Sequence, residues 1–173
     1  MRAFIVGIIV GFVLIGVGVY LYFATGRAPV ATSAKPMPFE KTLANKALQA
    51  RIEREMPQTS PIEVNEPTLA AGAQLYVQNC AACHGLPGQP QTAVAKGEYP
   101  KPPQLLEGKG VTDDPPGETY WKVANGIRLT GMPGFDRSLS QTQIWQVTLL
   151  VSNASNLPQS VRQILASAQP GAP

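Results

Sequence analysis

Cys80-Ala81-Ala82-Cys83-His84 holds both cysteines and the single histidine of this 173-residue chain. Residues three apart share a helix face, so one helical turn would set the two thiols together with the imidazole just beyond them. Three functions compete for a Cys-x-x-Cys pair. A tetrahedral zinc site needs four ligands, usually Cys and His, and this chain has three such residues, all in one short segment. A thioredoxin-like dithiol would follow a strand in an α/β pattern. Here the preceding residues read as helix, and those that follow are rich in Pro and Gly.

The third function uses the histidine. Cys-x-x-Cys-His is the pattern for covalent attachment of a c-type haem. Two thiols add across the two vinyl groups, and the next residue turns its imidazole to the iron. Cys80, Cys83 and His84 are therefore read as the attachment site of one covalently bound haem c. The competing structural reading is a reduced cysteine pair beside a surface histidine. With no second histidine, the other axial ligand is sought among thioethers, which raise a haem potential. Met37 and Met56 precede the haem segment. Met132 sits in Thr130-Gly131-Met132-Pro133-Gly134-Phe135, where Gly and Pro on both sides shape a loop able to present a side chain inward. It is the candidate ligand, and a gap-filling methionine is the alternative.

Working outward, the net charge of +3 gives no ground for a nucleic-acid partner. Seventeen prolines and sixteen glycines imply long irregular stretches, so a small domain here needs a source of order beyond its own core. Ala3 to Phe23 is apolar and uncharged. At about 1.5 Å per residue it reaches roughly 31 Å, enough to cross a bilayer core. It is read as a retained transmembrane anchor over residues 1–23. A cleaved signal peptide, with Ala24-Thr25-Gly26 as a poor cleavage site, is the competitor. Arg2 and Arg27 flank the run on both sides and leave its orientation open. Gly7 and Gly11 form a GxxxG match, which would let another helix approach closely.

Residues 24–66 read as a Pro-containing spacer with a helix at 39–56. Ala44, Leu48, Ile52 and Met56 recur every four residues among Lys, Arg and Glu, and Pro57 stops the pattern. The helix is taken as solvated, with an amphipathic strut lying on a partner subunit as the alternative. If flexible, the spacer would span roughly 35 Å r.m.s.. Residues 67–158 form the expected haem domain and residues 159–173 a C-terminal tail, poorly ordered at its end. Within the domain, helices are expected over Thr68–Asn79, with Asn65 or Glu66 at its cap, and over Gly117–Asn125, closed by Gly126. A third runs over Ser140–Ser155, opened by a Ser140/Gln143 capping box. Pro87 to Gly117 reads mostly as loop.

The segment from Gly72 to Leu157 resembles the class I cytochrome c domain, the mono-haem type with His and Met ligands. Gly72, Tyr76 and Cys80 repeat every four residues as in that family's first helix. Cys80, Cys83 and His84 match its attachment motif, and Gly131-Met132-Pro133 matches its methionine loop. The resemblance implies an all-α fold, a small class I cytochrome c domain with loops around one covalent haem. It also implies that a proline carbonyl, from Pro102 or Pro103, fixes the imidazole. Tyr120 to Gly126 would be the helix leading to the methionine loop, and Trp145 and Leu149 would pack on the first helix and the haem. Tyr99, Trp121 and Arg128 are candidate contacts for the haem propionates. The anchor, the spacer and the Leu86–Lys101 loop depart from the simplest members.

Family attachment chemistry takes place outside the bacterial cytoplasm. The expected location is thus the bacterial inner membrane, with the haem domain on the periplasmic side. The expected function is one-electron transfer, as a subunit of or tethered carrier for a respiratory or photosynthetic complex. The partners are then redox proteins of a larger membrane assembly, and the chain is no enzyme in itself. Lys96, Lys101, Lys109 and Lys122 could form a local docking patch on a nearly neutral domain. The alternative is a haem enzyme or ligand sensor with an open iron, which predicts that Met132 is not a ligand.

Overall fold

In the computed structural model, residues 1–107 and 113–169 are described. Their regular structure is entirely helical, with no strand among the described residues. In chain order the helices are α1 (Arg2–Ala24), α2 (Glu40–Glu55), α3 (Glu66–Asn79), α4 (Ala81–His84), α5 (Ala93–Gly97), α6 (Pro116–Asn125), α7 (Gln141–Ser152) and α8 (Gln159–Ser167), with a 3-10 turn at Ala154–Asn156. The chain divides into two compact units, Met1–Leu43 and Ala44–Pro173.

The first unit is dominated by α1. None of its residues is buried within the protein, and it is long and apolar enough to cross a membrane.

The second unit is built on the crossing of α3 and α7. Asn65 opens α3 by accepting a hydrogen bond from the Thr68 N–H at 2.9 Å, and Pro67 fits the first turn, where no donor is needed. Ser140 opens α7 with the expected capping box. Its hydroxyl accepts from the Gln143 N–H at 3.3 Å, and its own N–H donates to the Gln143 side chain at 2.9 Å. The two helices meet at Gly72, where a Cβ would run into the backbone carbonyl of Gln146. Only glycine allows this approach, which lets Leu69, Ala73 and Tyr76 bury against Leu149 and Leu150. The Tyr76 hydroxyl then donates to the Gly85 carbonyl at 3.0 Å, tying α3 to the turn that ends α4.

Two sequence expectations are corrected here. Residues 159–173 were expected as a tail, yet Gln159–Ser167 is helix and packs on α3. Val161 and Leu165, four apart and so on one face, are fully buried in the same core. Residues 44–66 were expected as spacer, yet they belong to the compact unit that carries the haem motif. Ile52 of α2 has 0% of its surface exposed. A residue so buried gains its position from tertiary packing, which overrides the highly charged character of its helix. Ile52→Ala should therefore cost about 2–5 kcal/mol. Thermal unfolding would report it as a lower Tm, whereas an unchanged Tm would return α2 to the role of a solvated spacer helix.

Candidate haem site

The helix α3 ends at Asn79, and the chain tightens at once into the single turn of α4. The His84 N–H donates to the Cys80 carbonyl at 2.8 Å, and the Cys83 N–H donates to the same oxygen at 3.1 Å. This turn sets Cys80, Cys83 and His84 along one wall of a cavity of about 420 Å³. Pro102, Pro103 and Leu105 line it from the loop after α5. Thr119, Lys122 and Val123 line it from α6, Val147 and Val151 from α7, and Met132 and Pro133 from the loop between those helices. The four residues expected as haem attachments and ligands thus face one space.

The methionine loop is held to the end of α6. Phe135 N–H donates to the Val123 carbonyl at 3.0 Å and Asp136 N–H to that of Ala124 at 3.1 Å, while Ile127 N–H donates to the Met132 carbonyl at 3.2 Å. Gly126 permits the reversal. Its φ is +68°, and a Cβ there would lie 2.6 Å from the carbonyl carbon of Pro133. Thr130 closes the loop by accepting from the Met132 N–H at 3.1 Å.

His84 Nδ1 lies 2.8 Å from the Pro103 carbonyl oxygen, which makes Nδ1–H the donor and leaves Nε2 as the free lone pair. Of the two prolines, Pro103 supplies the carbonyl. Burial pushes the His84 pKa down, against the opposing effects of the Pro103 carbonyl and Glu98, so the ring stays neutral at pH 7 and keeps that lone pair. The two thiols stay protonated. Burial, with Cys83 beside it, pushes Cys80 up to about 12. Cys83 is raised by burial and by the Glu98 carboxylate, which accepts from its Sγ at 3.3 Å.

The donor set fits a haem. It offers two unbonded thiols, one imidazole with a single free nitrogen and one thioether, in a cleft that falls within the about 300–1,000 Å³ of typical cofactor sites. The family model described as "Cytochrome C oxidase, cbb3-type, subunit III" matches residues 67–150. Cytochrome c6 of Limnospira maxima is 37% identical over 83 residues, 48% of this chain and 89% of that protein. The chain belongs to the class I c-type cytochromes. Its function is accordingly electron transfer, and the family implies covalently bound haem c. The thiosulfate dehydrogenase of Stutzerimonas stutzeri (strain A1501) is 34% identical over 121 residues, which are 67% of this chain and only 38% of that protein. A chain of the Kuenenia stuttgartiensis reducing HAO-like protein complex aligns with a TM-score of 0.49 at 23% identity, over 70% of this chain and 52% of its own.

Three expected haem contacts of this cytochrome do not line the cavity. Arg128 is exposed, and Tyr99 is 39% exposed. Trp121 turns away because Thr119, Lys122 and Val123 take the cavity face of α6. Its indole N–H donates instead to the Glu55 carboxylate at 3.1 Å. Trp145 stacks on Tyr120 at 4.4 Å between ring centres, and Leu149 packs on α3, so Val147 and Val151 are the α7 residues on the cavity.

The proposed lysine patch is partly dissolved. Lys101 and Lys122 line the cavity, and Lys122 is paired with Asp114 at 3.2 Å and Glu118 at 2.6 Å. Lys109 lies outside the described residues. Sequence reasoning missed Glu98 and Leu48. Glu98, a lone acid in a loop, carried no signal. Leu48 belonged to the four-residue stripe of α2, which pointed to a buried face without saying on what.

Proposed function

We propose that this cytochrome is a membrane-tethered, mono-haem electron carrier. In this reading Cys80 and Cys83 hold the haem covalently, and His84 and Met132 are its axial ligands. One observation carries the proposal: Met132 and His84 line the same cavity as the cysteine pair. When bound, the haem supplies a one-electron ferric–ferrous couple. Cys80 and Cys83 would hold the haem through thioether bonds to its vinyl carbons, each thiol hydrogen passing to the neighbouring carbon, so that attachment would need no oxidant. The Pro103 carbonyl holds the His84 ring in one orientation and makes Nε2 a better donor. The thioether of Met132, soft and polarizable, favours ferrous iron and raises the potential. Val123, Val147 and Val151 keep water from the cavity walls. Among the described residues, Lys101 and Lys122 are cations on the cavity wall that could meet the haem carboxylates.

With His84 and Met132 both bound to its iron, the haem would exchange electrons with little rearrangement and would offer no position for oxygen or peroxide. The chain is therefore proposed to act as a carrier and not as an enzyme. The apolar helix α1 supports a single-pass anchor in a bacterial inner membrane, with the haem domain outside the cytoplasm. Donor and acceptor would then be neighbours in a respiratory or photosynthetic assembly, and the family description makes a terminal oxidase the first to try.

The test is the optical spectrum of the detergent-extracted, full-length protein, oxidised and then reduced, with and without carbon monoxide. A low-spin ferric form with the weak long-wavelength band of a sulfur–iron bond, unaltered by carbon monoxide on reduction, is expected. A high-spin spectrum that shifts with carbon monoxide would favour the open-iron alternative. Intact mass of the membrane fraction would decide between a retained and a cleaved α1.

A further inference from the structure

The segment matched by the family begins at residue 67. Leu48 precedes it, yet lines the cavity with Cys80, His84 and Met132. Its helix is fixed there by several independent contacts. Leu48, Ile52 and Glu55 follow at the spacing of one helix face. Ile52 is completely buried. Glu55 accepts the Trp121 indole N–H at 3.1 Å and is itself steadied by Arg51 at 2.7 Å. Just past the helix, the Pro57 carbonyl is pressed against Gly117 so closely that no Cβ would fit. Trp121 and Gly117 both belong to α6, the helix that lines the cavity through Thr119, Lys122 and Val123.

From Ala44 onward, then, α2 is fastened to one wall of the cavity and sends one apolar side chain into it. We infer that α2 is a cap on the haem cavity, and that Leu48 is the positioning residue through which it keeps water from the bound haem. The inference rests on the site reading above and adds a residue to it. Ferric haem carries one more positive charge than ferrous haem, and exclusion of water disfavours the more highly charged state. Leu48 therefore raises the potential, as Met132 does, but through burial instead of ligation. It also narrows the access of small solutes to the haem.

The test compares full-length holoproteins. Leu48→Ala should lower the midpoint potential and speed reduction by ascorbate several-fold, while the sulfur–iron band of the ferric spectrum stays in place. Leu48→Met, which restores apolar bulk, should return both quantities close to wild type. Leu43→Ala, at a position 65% exposed, should change neither. Glu55→Ala frees the indole without touching the cavity, and should reproduce the Leu48→Ala changes in smaller measure. Unchanged potential and unchanged ascorbate rate in a fully haem-loaded Leu48→Ala protein would overturn the cap. Wild-type protein without covalent haem would overturn the site reading and the cap with it, so haem content separates the two failures.

Discussion

Cys80→Ala combined with Cys83→Ala should yield a protein that carries no haem through a denaturing gel and does not reach the native fold. Either single variant should keep haem through its remaining thiol. The cavity of about 420 Å³ is walled by Val123, Val147, Val151 and Leu105, apolar side chains that a haem would cover. Without haem these apolar walls stay against water and forfeit burial worth about 25 cal/mol per Å². A whole domain is stable by only about 5–15 kcal/mol. Haem-stained gels and circular dichroism of the three variants check the expectation. Covalent haem in the double variant would remove Cys80 and Cys83 from the site.

Met132→His is expected to retain haem and lower the midpoint potential by a sizeable fraction of the about 0.8 V over which axial ligands tune haem proteins. The loop makes this a clean exchange. Its backbone is pinned to α6 at Val123 and Ala124, and Gly126 fixes the turn, so a new side chain at position 132 starts from the same place. An imidazole in place of the thioether removes the preference for ferrous iron. Met132→Ala, which offers no ligand, should instead open the iron to carbon monoxide. A redox titration with an unchanged midpoint in Met132→His would mean that sulfur never reached the iron.

Much of the site was legible because its parts are local. The attachment motif, the Ser140 capping box, the Asn65–Pro67 helix start and the glycine before the methionine loop each act within a few residues. The close crossing at Gly72 was legible only through the resemblance of Gly72, Tyr76 and Cys80 to the family's first helix. What was missed depends on partners far along the chain. Val161 and Leu165 lie in a short stretch between Pro158 and Pro170, and they become core only because α3 lies beneath them. Ile52 and Leu48 looked like a narrow stripe on a charged helix, and the distant contacts that fix it, Glu55 with Trp121 and Pro57 with Gly117, have no local signature. Aromatic side chains misled in the same way. Trp121 was a candidate propionate contact and Trp145 was placed by the resemblance, but helix phase gives the cavity to Val123, Val147 and Val151.

The packing of α8 on α3 has a bearing on the order of events during synthesis. The helix α8, made about eighty residues after α3, covers it, so the core around Tyr76 and Leu150 stays incomplete until the chain has been extended past Leu165. Domains fold as units, and the N-terminal part of a chain emerges first. On the proposed reading, Cys80 and Cys83 would be made before the helix that completes the core over α3, and their thiols would be open to a porphyrin until that helix docks.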